Sequence, residues 1–402
     1  MPPGARPSPL LKGNIVAFPE RPSAIPGYED WPAYVRSRPT ADVPPRSRAL
    51  AGVLGVPAPP DEVSPTVEWE GTHDGVTTTA LSWQLGFGPR TRAWLVKPAG
   101  TAGPLPAVLA LHCHAGDKYT GASRLVEFPP GRTEPGVDSD PRRHDLYGGR
   151  ALATELAREG FAVLAHDTFS WGSRRFTLEA PPWRTADALA GREAQWREQC
   201  RTPGAAEAYN AAAAFHEDTV AKAAGLAGTS LAGTVAHDDL AALGVLASLP
   251  GVDPSRLGCL GFSGGGGRAL VLAALSPAIR SYSVTAMMTT FDSLFPAYLD
   301  AHSWLLQTPG LARLGEWPEF TALPDAARFL VQYALEDDLF PAAGMRAANK
   351  MLDDLHPSGR YTGTFWPGGH EFTIPMQEEA FAFLRDALAP ASATPATTKR
   401  TA

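Results

Sequence analysis

Gly261-Phe262-Ser263-Gly264-Gly265 is a G-x-S-x-G pentapeptide. It follows an apolar run at 257–262 and precedes a helical pattern at 268–275, so it reads as strand, sharp turn, helix. A serine on such a turn needs neighbours without colliding side chains. Gly261 and Gly265 supply that room, and Gly264, Gly266 and Gly267 extend it. The turn also aims backbone N–H groups of the new helix at a reacting carbonyl. The chemistry is nucleophilic attack by the Ser263 hydroxyl. A serine hydroxyl is weak at neutral pH and requires an adjacent base, itself oriented by an acid.

With this motif the acid and then the histidine follow the serine in the chain. His370 stands in Pro367-Gly368-Gly369-His370-Glu371-Phe372, after the last strand pattern, and small residues before it let the imidazole reach back over the sheet edge. It is read as the base. His356, before Pro357, reads as a solvated helix cap, and His302 falls in a segment patterned as a helical insertion. Glu336, Asp337 and Asp338 follow the strand pattern at 329–334. Asp337 is taken as the acid, with Asp338 as its alternative. The pattern of a phosphate-binding loop, with its Gly-Lys-Ser/Thr ending, does not occur, nor does the dinucleotide fingerprint.

Acyl chemistry also needs two N–H donors for the developing oxyanion. The N–H of Gly264 is the first. The loop His112-Cys113-His114-Ala115-Gly116-Asp117-Lys118, after the strand pattern at 107–111, offers the second through His114, or alternatively Ala115. The His112-x-His114 pair opens a competing reading as a metal site. The fuller His-x-His-x-Asp-His run is not met, because Asp117 comes one position late and Lys118 follows it. The metal reading is therefore set aside, and His112 reads as a buried, hydrogen-bonded histidine that shapes the loop. Phe169, Trp171, Met287 and Phe340 are candidates for an apolar substrate pocket.

These residues must be held by a sheet. Short apolar runs at 107–111, 161–165, 257–262, 281–286, 329–334 and 362–366 read as strands buried on both faces. Strands at 67–70, 77–85 and 93–96 precede them, the first two joined by a turn at Asp74-Gly75. Helical patterns at 150–158, 238–249, 268–275, 342–355 and 378–388 lie between. The alternation predicts an α/β fold with a mostly parallel central sheet flanked by helices, and a site at the carboxyl ends of the strands.

The chain has 402 residues and a formal charge of −7, which argues against a nucleic-acid partner. Gly 39 and Pro 39 fall short of a low-complexity composition and mark a loop-rich globular chain instead. Three cysteines cannot make a disulfide framework. Neither a signal-peptide pattern at 1–26 nor a membrane-spanning run is seen, so a cytoplasmic protein with a small-molecule substrate is expected. The expected organisation is a proline-rich, extended N-terminal arm at 1–65, with short helical pieces such as one around 31–36, and a catalytic domain at 66–389. An inserted helical cap at 177–226 and a disordered tail at 390–402 complete it.

Over roughly residues 93–388 the chain resembles the α/β-hydrolase superfamily. Within it, the chain is similar to dienelactone-hydrolase-like and acetyl-xylan-esterase-like serine hydrolases. Besides the elbow, acid and histidine, the likeness runs through the 111–118 loop and Asp167-Thr168-Phe169-Ser170-Trp171-Gly172-Ser173. Ser230-Leu231-Ala232-Gly233 and Val252-Asp253-Pro254 continue it in order. The resemblance implies Ser263 as nucleophile, Asp337 as acid and His370 as base. It also implies cleavage of a carboxylic ester through an acyl-enzyme without a cofactor. Cys113 departs from the glycine usual in such loops. The same triad also serves peptidases, C–C bond hydrolases and acyltransferases. A catalytically silent binding module is argued against by the intact Ser263, Asp337 and His370.

Overall fold

The computed structural model describes residues 22–134 and 141–390. The segment read for a signal pattern lies mostly outside these residues, and so does the tail beyond Pro390.

Nine strands form one sheet among the described residues. They are β1 (Thr66–His73), β2 (Val76–Trp83), β3 (Thr91–Pro98), β4 (Leu105–Leu111), β5 (Ala162–His166), β6 (Val252–Phe262), β7 (Ile279–Thr285), β8 (Arg328–Ala334) and β9 (Tyr361–Trp366). Their order is β1-β2-β3-β5-β4-β6-β7-β8-β9. The pairs from β1 to β5 are antiparallel. Those from β5 through β4 to β9 are parallel. Asp74 and Gly75 join β1 to β2 with φ of 44° and 77°. Two positive φ values in succession match the twist of a tight hairpin.

The central strands are apolar throughout because both faces are covered. On β4, Leu109 and Leu111 enter one core, while Val108 and Ala110 enter the other. Leu164 and Val163 divide in the same way on β5. Successive side chains point to opposite faces, so a strand between two helical layers cannot alternate with polar residues.

The expected helices appear with shifted starts. Leu231–Ser248 begins seven residues before the apolar period at 238, where the Ser230 hydroxyl accepts the Gly233 N–H at 2.9 Å. Ile374–Ala387 begins before Glu378, with proline in its first turn, where no N–H is needed. Gly264–Leu275 takes the four glycines into the helix itself.

Elsewhere the chain departs from its sequence reading. The described part of the arm is not loosely extended. It carries the expected helical piece, Trp31–Ser37, and a second, Arg48–Leu54, and it buries Tyr28, Trp31, Leu50 and Leu54 in the main core. Its prolines prevent long elements, but the aromatic and leucine side chains between them still anchor it. Region 177–226 is helical as expected, with helices Trp183–Glu198 and Ala205–Ala227. Region 286–327 is not a helical insertion. It is a run of turns with a four-residue helix, Phe291–Leu294, and short 3₁₀ turns. Among the described residues no helix is long and apolar enough to cross a membrane.

Candidate active site

Ser263 stands between β6 and the helix Gly264–Leu275 with φ 55° and ψ −128°. A side chain in that region is strained and persists only where the surroundings fix it. They do so here by close approach. A Cβ on Gly261 would lie 2.2 Å from the Gly265 carbonyl carbon, and one on Gly265 would lie 2.1 Å from the Leu111 oxygen. Both glycines are therefore needed for the turn to sit against β4. The Ser263 N–H is given to the Thr285 carbonyl at 2.8 Å, tying the elbow to β7.

His370 and Asp337 come from the loops after β9 and β8, at the same sheet edge. His370 Nε2 is 2.8 Å from Ser263 Oγ, and His370 Nδ1 is 2.6 Å from Asp337 Oδ2. The other Asp337 oxygen accepts the Leu339 N–H at 2.8 Å. Asp337 is buried, whereas Glu336 and Asp338 are exposed and point elsewhere. Gly368, with φ 104°, turns the chain after β9, and its carbonyl accepts the Glu336 N–H at 3.0 Å. The two loops are thus stitched together beneath the imidazole.

The loop after β4 approaches from the other side. A Cβ on Gly264 would lie 3.2 Å from the His114 nitrogen, so the backbone of His114 lies against the residue that follows Ser263. The positive φ values of this loop fall on Ala115 (57°) and Gly116 (60°). Cys113 is outside that group, so a cysteine is accommodated there without strain.

His114 Nδ1 accepts the Gly116 N–H at 3.0 Å, and its Nε2 lies 3.1 Å from Glu217. His112 gives its Nδ1–H to the Cys113 carbonyl at 3.0 Å, and its Nε2 is buried without a partner among the described residues. Burial, then the Arg268 charge, pushes His112 well below the ordinary histidine range, so it stays neutral. Both nitrogens of His114 are committed to protein partners. The metal-pair reading finds no third ligand beside it, since no three such side chains cluster among the described residues.

A cavity of about 310 Å³ opens on Ser263 and His370. Met287 and Phe340 line it, with Leu146, Leu305, Leu306 and the polar His302 and Ser303. Phe169 and Trp171 do not. Phe169 is buried among Tyr28, Trp31 and Phe176 of the core, with centroids 4.6–5.5 Å apart. Trp171 lies behind the loop, against His114 and the Lys118 ammonium. The N-terminal segment fills the space that a substrate was expected to occupy beside Phe169. No residue of 177–226 lines the cavity either. Part of the wall comes from the turns at 301–306, and part from the loop at 113–116.

Other histidines have structural partners. His356 is not solvated: it is buried, with Nε2 2.7 Å from Thr321 Oγ1 and Nδ1 receiving Arg360 at 3.2 Å. His166 Nε2 meets Asp239 at 3.0 Å beneath the site.

Sequence reasoning missed the groups that brace the site. Asp239 receives Arg268 through Nε at 3.0 Å and Nη2 at 2.6 Å, and Arg268 Nη1 donates to the His112 carbonyl at 3.1 Å. The elbow helix is thereby fastened to the base of the loop after β4. The adjacent Asp238 accepts the Phe169 N–H at 2.8 Å and Arg174 at 3.3 Å. The available signal was two consecutive aspartates in an otherwise apolar helix, and one arginine in the helix that follows the elbow. Buried charges of that kind need partners.

The model of the acetyl xylan esterase family matches residues 230–296, which span the bracing helix and the elbow. A Bacillus subtilis (strain 168) protein named "Putative hydrolase YtaP" is 26% identical over 325 residues, covering 80% of this chain and 91% of that one. Among solved structures, a Bacteroides fragilis protein described as a "putative acetyl xylan esterase" superposes with a TM-score of 0.57 at 13% identity, covering 84% of this chain and 74% of that one. A glucuronoyl esterase from Solibacter usitatus superposes with a TM-score of 0.57 at 14% identity, covering 83% and 88%. The chain therefore has the α/β-hydrolase fold and, across its elbow segment, is similar to the acetyl xylan esterases.

Proposed function

We propose that this chain is a serine hydrolase acting on carboxylic esters. The observation that carries the reading is the hydrogen-bonded row Ser263–His370–Asp337, at 2.8 and 2.6 Å, opening on a cavity. The names of the acetyl xylan esterase family and of the glucuronoyl esterase neighbour support the same class of reaction.

In this mechanism Ser263 Oγ attacks the ester carbonyl carbon while His370 Nε2 takes its proton. Asp337 accepts Nδ1–H, which fixes the tautomer and favours the imidazolium that forms. The negative oxygen of the tetrahedral intermediate is met by the N–H groups of Gly264 and His114, a contribution of about 2.7–4 kcal/mol per donor. His370 then gives its proton to the leaving alcohol. Water, deprotonated by His370, attacks the acyl-enzyme; His370 then returns that proton to Ser263 Oγ as the C–Oγ bond breaks and the acid leaves. Met287, Leu305 and Phe340 would pack against the apolar part of the substrate.

Hydrolysis of short p-nitrophenyl esters by wild type and by Ser263→Ala tests this. Wild type is expected to turn over, and the variant to lose nearly all activity while keeping its fold. Activity that survives Ser263→Ala but vanishes with a chelator would sink the serine reading.

A further inference from the structure

Glu217 lies on the helix Ala205–Ala227 and is buried although charged. Its two oxygens serve different partners. Oε1 accepts Ser303 Oγ–H at 2.7 Å and the Trp304 N–H at 3.0 Å. Oε2 accepts Lys118 Nζ at 2.5 Å and His114 Nε2 at 3.1 Å. Because His114 Nδ1 accepts from Gly116, the ring proton sits on Nε2 and is the one given to Glu217.

Both arms end at the elbow. His114 carries the second oxyanion N–H. Ser303 Oγ, having given its hydrogen to Glu217, accepts the Leu305 N–H at 3.2 Å. A Cβ on Gly264 would lie 3.2 Å from the His114 nitrogen and 3.5 Å from the Leu305 side chain, so the two arms meet around the residue that follows the nucleophile. Both His114 and Ser303 line the cavity. Burial by itself would raise the Glu217 carboxyl, but the Lys118 ammonium and the hydrogen bonds from His114 and Lys118 outweigh it. The group is held far below the usual carboxylate range. It stays ionised, with both oxygens free to accept. A carboxylate needed only to neutralise Lys118 would leave its second oxygen without a task. Here that oxygen holds the cavity wall.

We propose that Glu217 is a positioning residue for the hydrolytic centre. Through His114 it fixes the loop that carries an oxyanion donor, and through Ser303 and Leu305 it fixes the cavity wall beside Ser263. The proposal rests on the serine-hydrolase reading above. Oxyanion donors act only within a few tenths of an ångström of the right place, so a clamp on both walls is felt in turnover.

The test titrates active sites with a p-nitrophenyl phosphonate, which labels an activated serine, and then measures kcat and KM per titrated site with p-nitrophenyl acetate. Ser303→Ala, which leaves Lys118 paired, is expected to lower kcat per site about 10-fold and Glu217→Gln about 100-fold, with KM changing far less. Ser303→Thr, which restores a hydroxyl, should return kcat to within about two-fold of wild type. Unchanged kcat per titrated site in both Ser303→Ala and Glu217→Gln, with only the melting temperature lowered, overturns the proposal. If Glu217→Gln does not fold, the Ser303→Ala and Ser303→Thr pair decides it alone. Failure of wild type to react with the phosphonate would instead overturn the nucleophile reading on which the proposal stands.

Discussion

Asp337→Asn changes one atom, and the structure dictates the consequence. Asp337 Oδ1 is claimed by the Leu339 backbone N–H at 2.8 Å, and Oδ2 by His370 Nδ1 at 2.6 Å. Asparagine has a single oxygen. The backbone N–H cannot rotate away, so that oxygen stays with Leu339 and the amide NH₂ faces the imidazole. Two donors then oppose each other, and His370 is driven to the tautomer with hydrogen on Nε2. That hydrogen points at Ser263 Oγ, 2.8 Å away, so the base can no longer accept the serine proton. The expected loss is about 10⁴-fold in kcat near neutral pH, or roughly 5.4 kcal/mol of transition-state stabilisation. Thermal stability should change little, because the Leu339 bond survives. The assay is p-nitrophenyl acetate hydrolysis with a melting curve on the same preparation. Asp337→Ala enforces no tautomer and should lose no more activity than the asparagine variant. A loss below about tenfold in a fully folded Asp337→Asn protein would refute both the tautomer argument and the role given to Asp337.

Two further predictions concern stability. Arg268→Leu leaves the buried Asp239 carboxylate with His166 but without its counter-charge and frees the His112 carbonyl, so urea denaturation should show a loss of about 3–5 kcal/mol, and Arg268→Leu combined with Asp239→Leu should recover part of it. His216 donates Nε2–H to the Ala24 carbonyl at 2.8 Å, and burial pushes its pKa down to about 4 from 6.5. The unfolded chain therefore takes up this proton first, so stability is complete above about pH 6.5 and falls as pH drops toward 4. The wild-type melting temperature should fall more between pH 7 and pH 5 than that of His216→Gln, which keeps a donor to Ala24 without titrating; equal falls would remove His216 from the acid sensitivity.

The sequence by itself determined the strands and the residues of the row, with Asp338 left as an alternative to Asp337. Residues 107–111 and 257–262 are apolar without a break because strands covered on both faces have no polar side. Such runs bounded by turn residues are legible one strand at a time. Ser263, Asp337 and His370 were legible because each sits at a strand end in a local pattern of its own: a glycine elbow, an acidic turn, and two glycines before a histidine. Parallel neighbours bring those ends to one edge without further information.

What only the tertiary structure decided is everything that depends on which side chains meet across long separations. Phe169 follows a strand end as a pocket residue would, yet Tyr28 and Trp31 of the N-terminal segment cover it. Part of the cavity wall comes from turns at 301–306, which carry no period to read, and none of it from the helical region at 177–226. Glu217 meets His114 103 positions away and Ser303 86 positions away. Nothing in its own helix marks it, because a buried carboxylate is defined by the partners that compensate its desolvation, and those partners lie on other elements. Local spacing encodes where the chain turns and which groups can react; the packing of distant segments decides how firmly those groups are held and what can reach them.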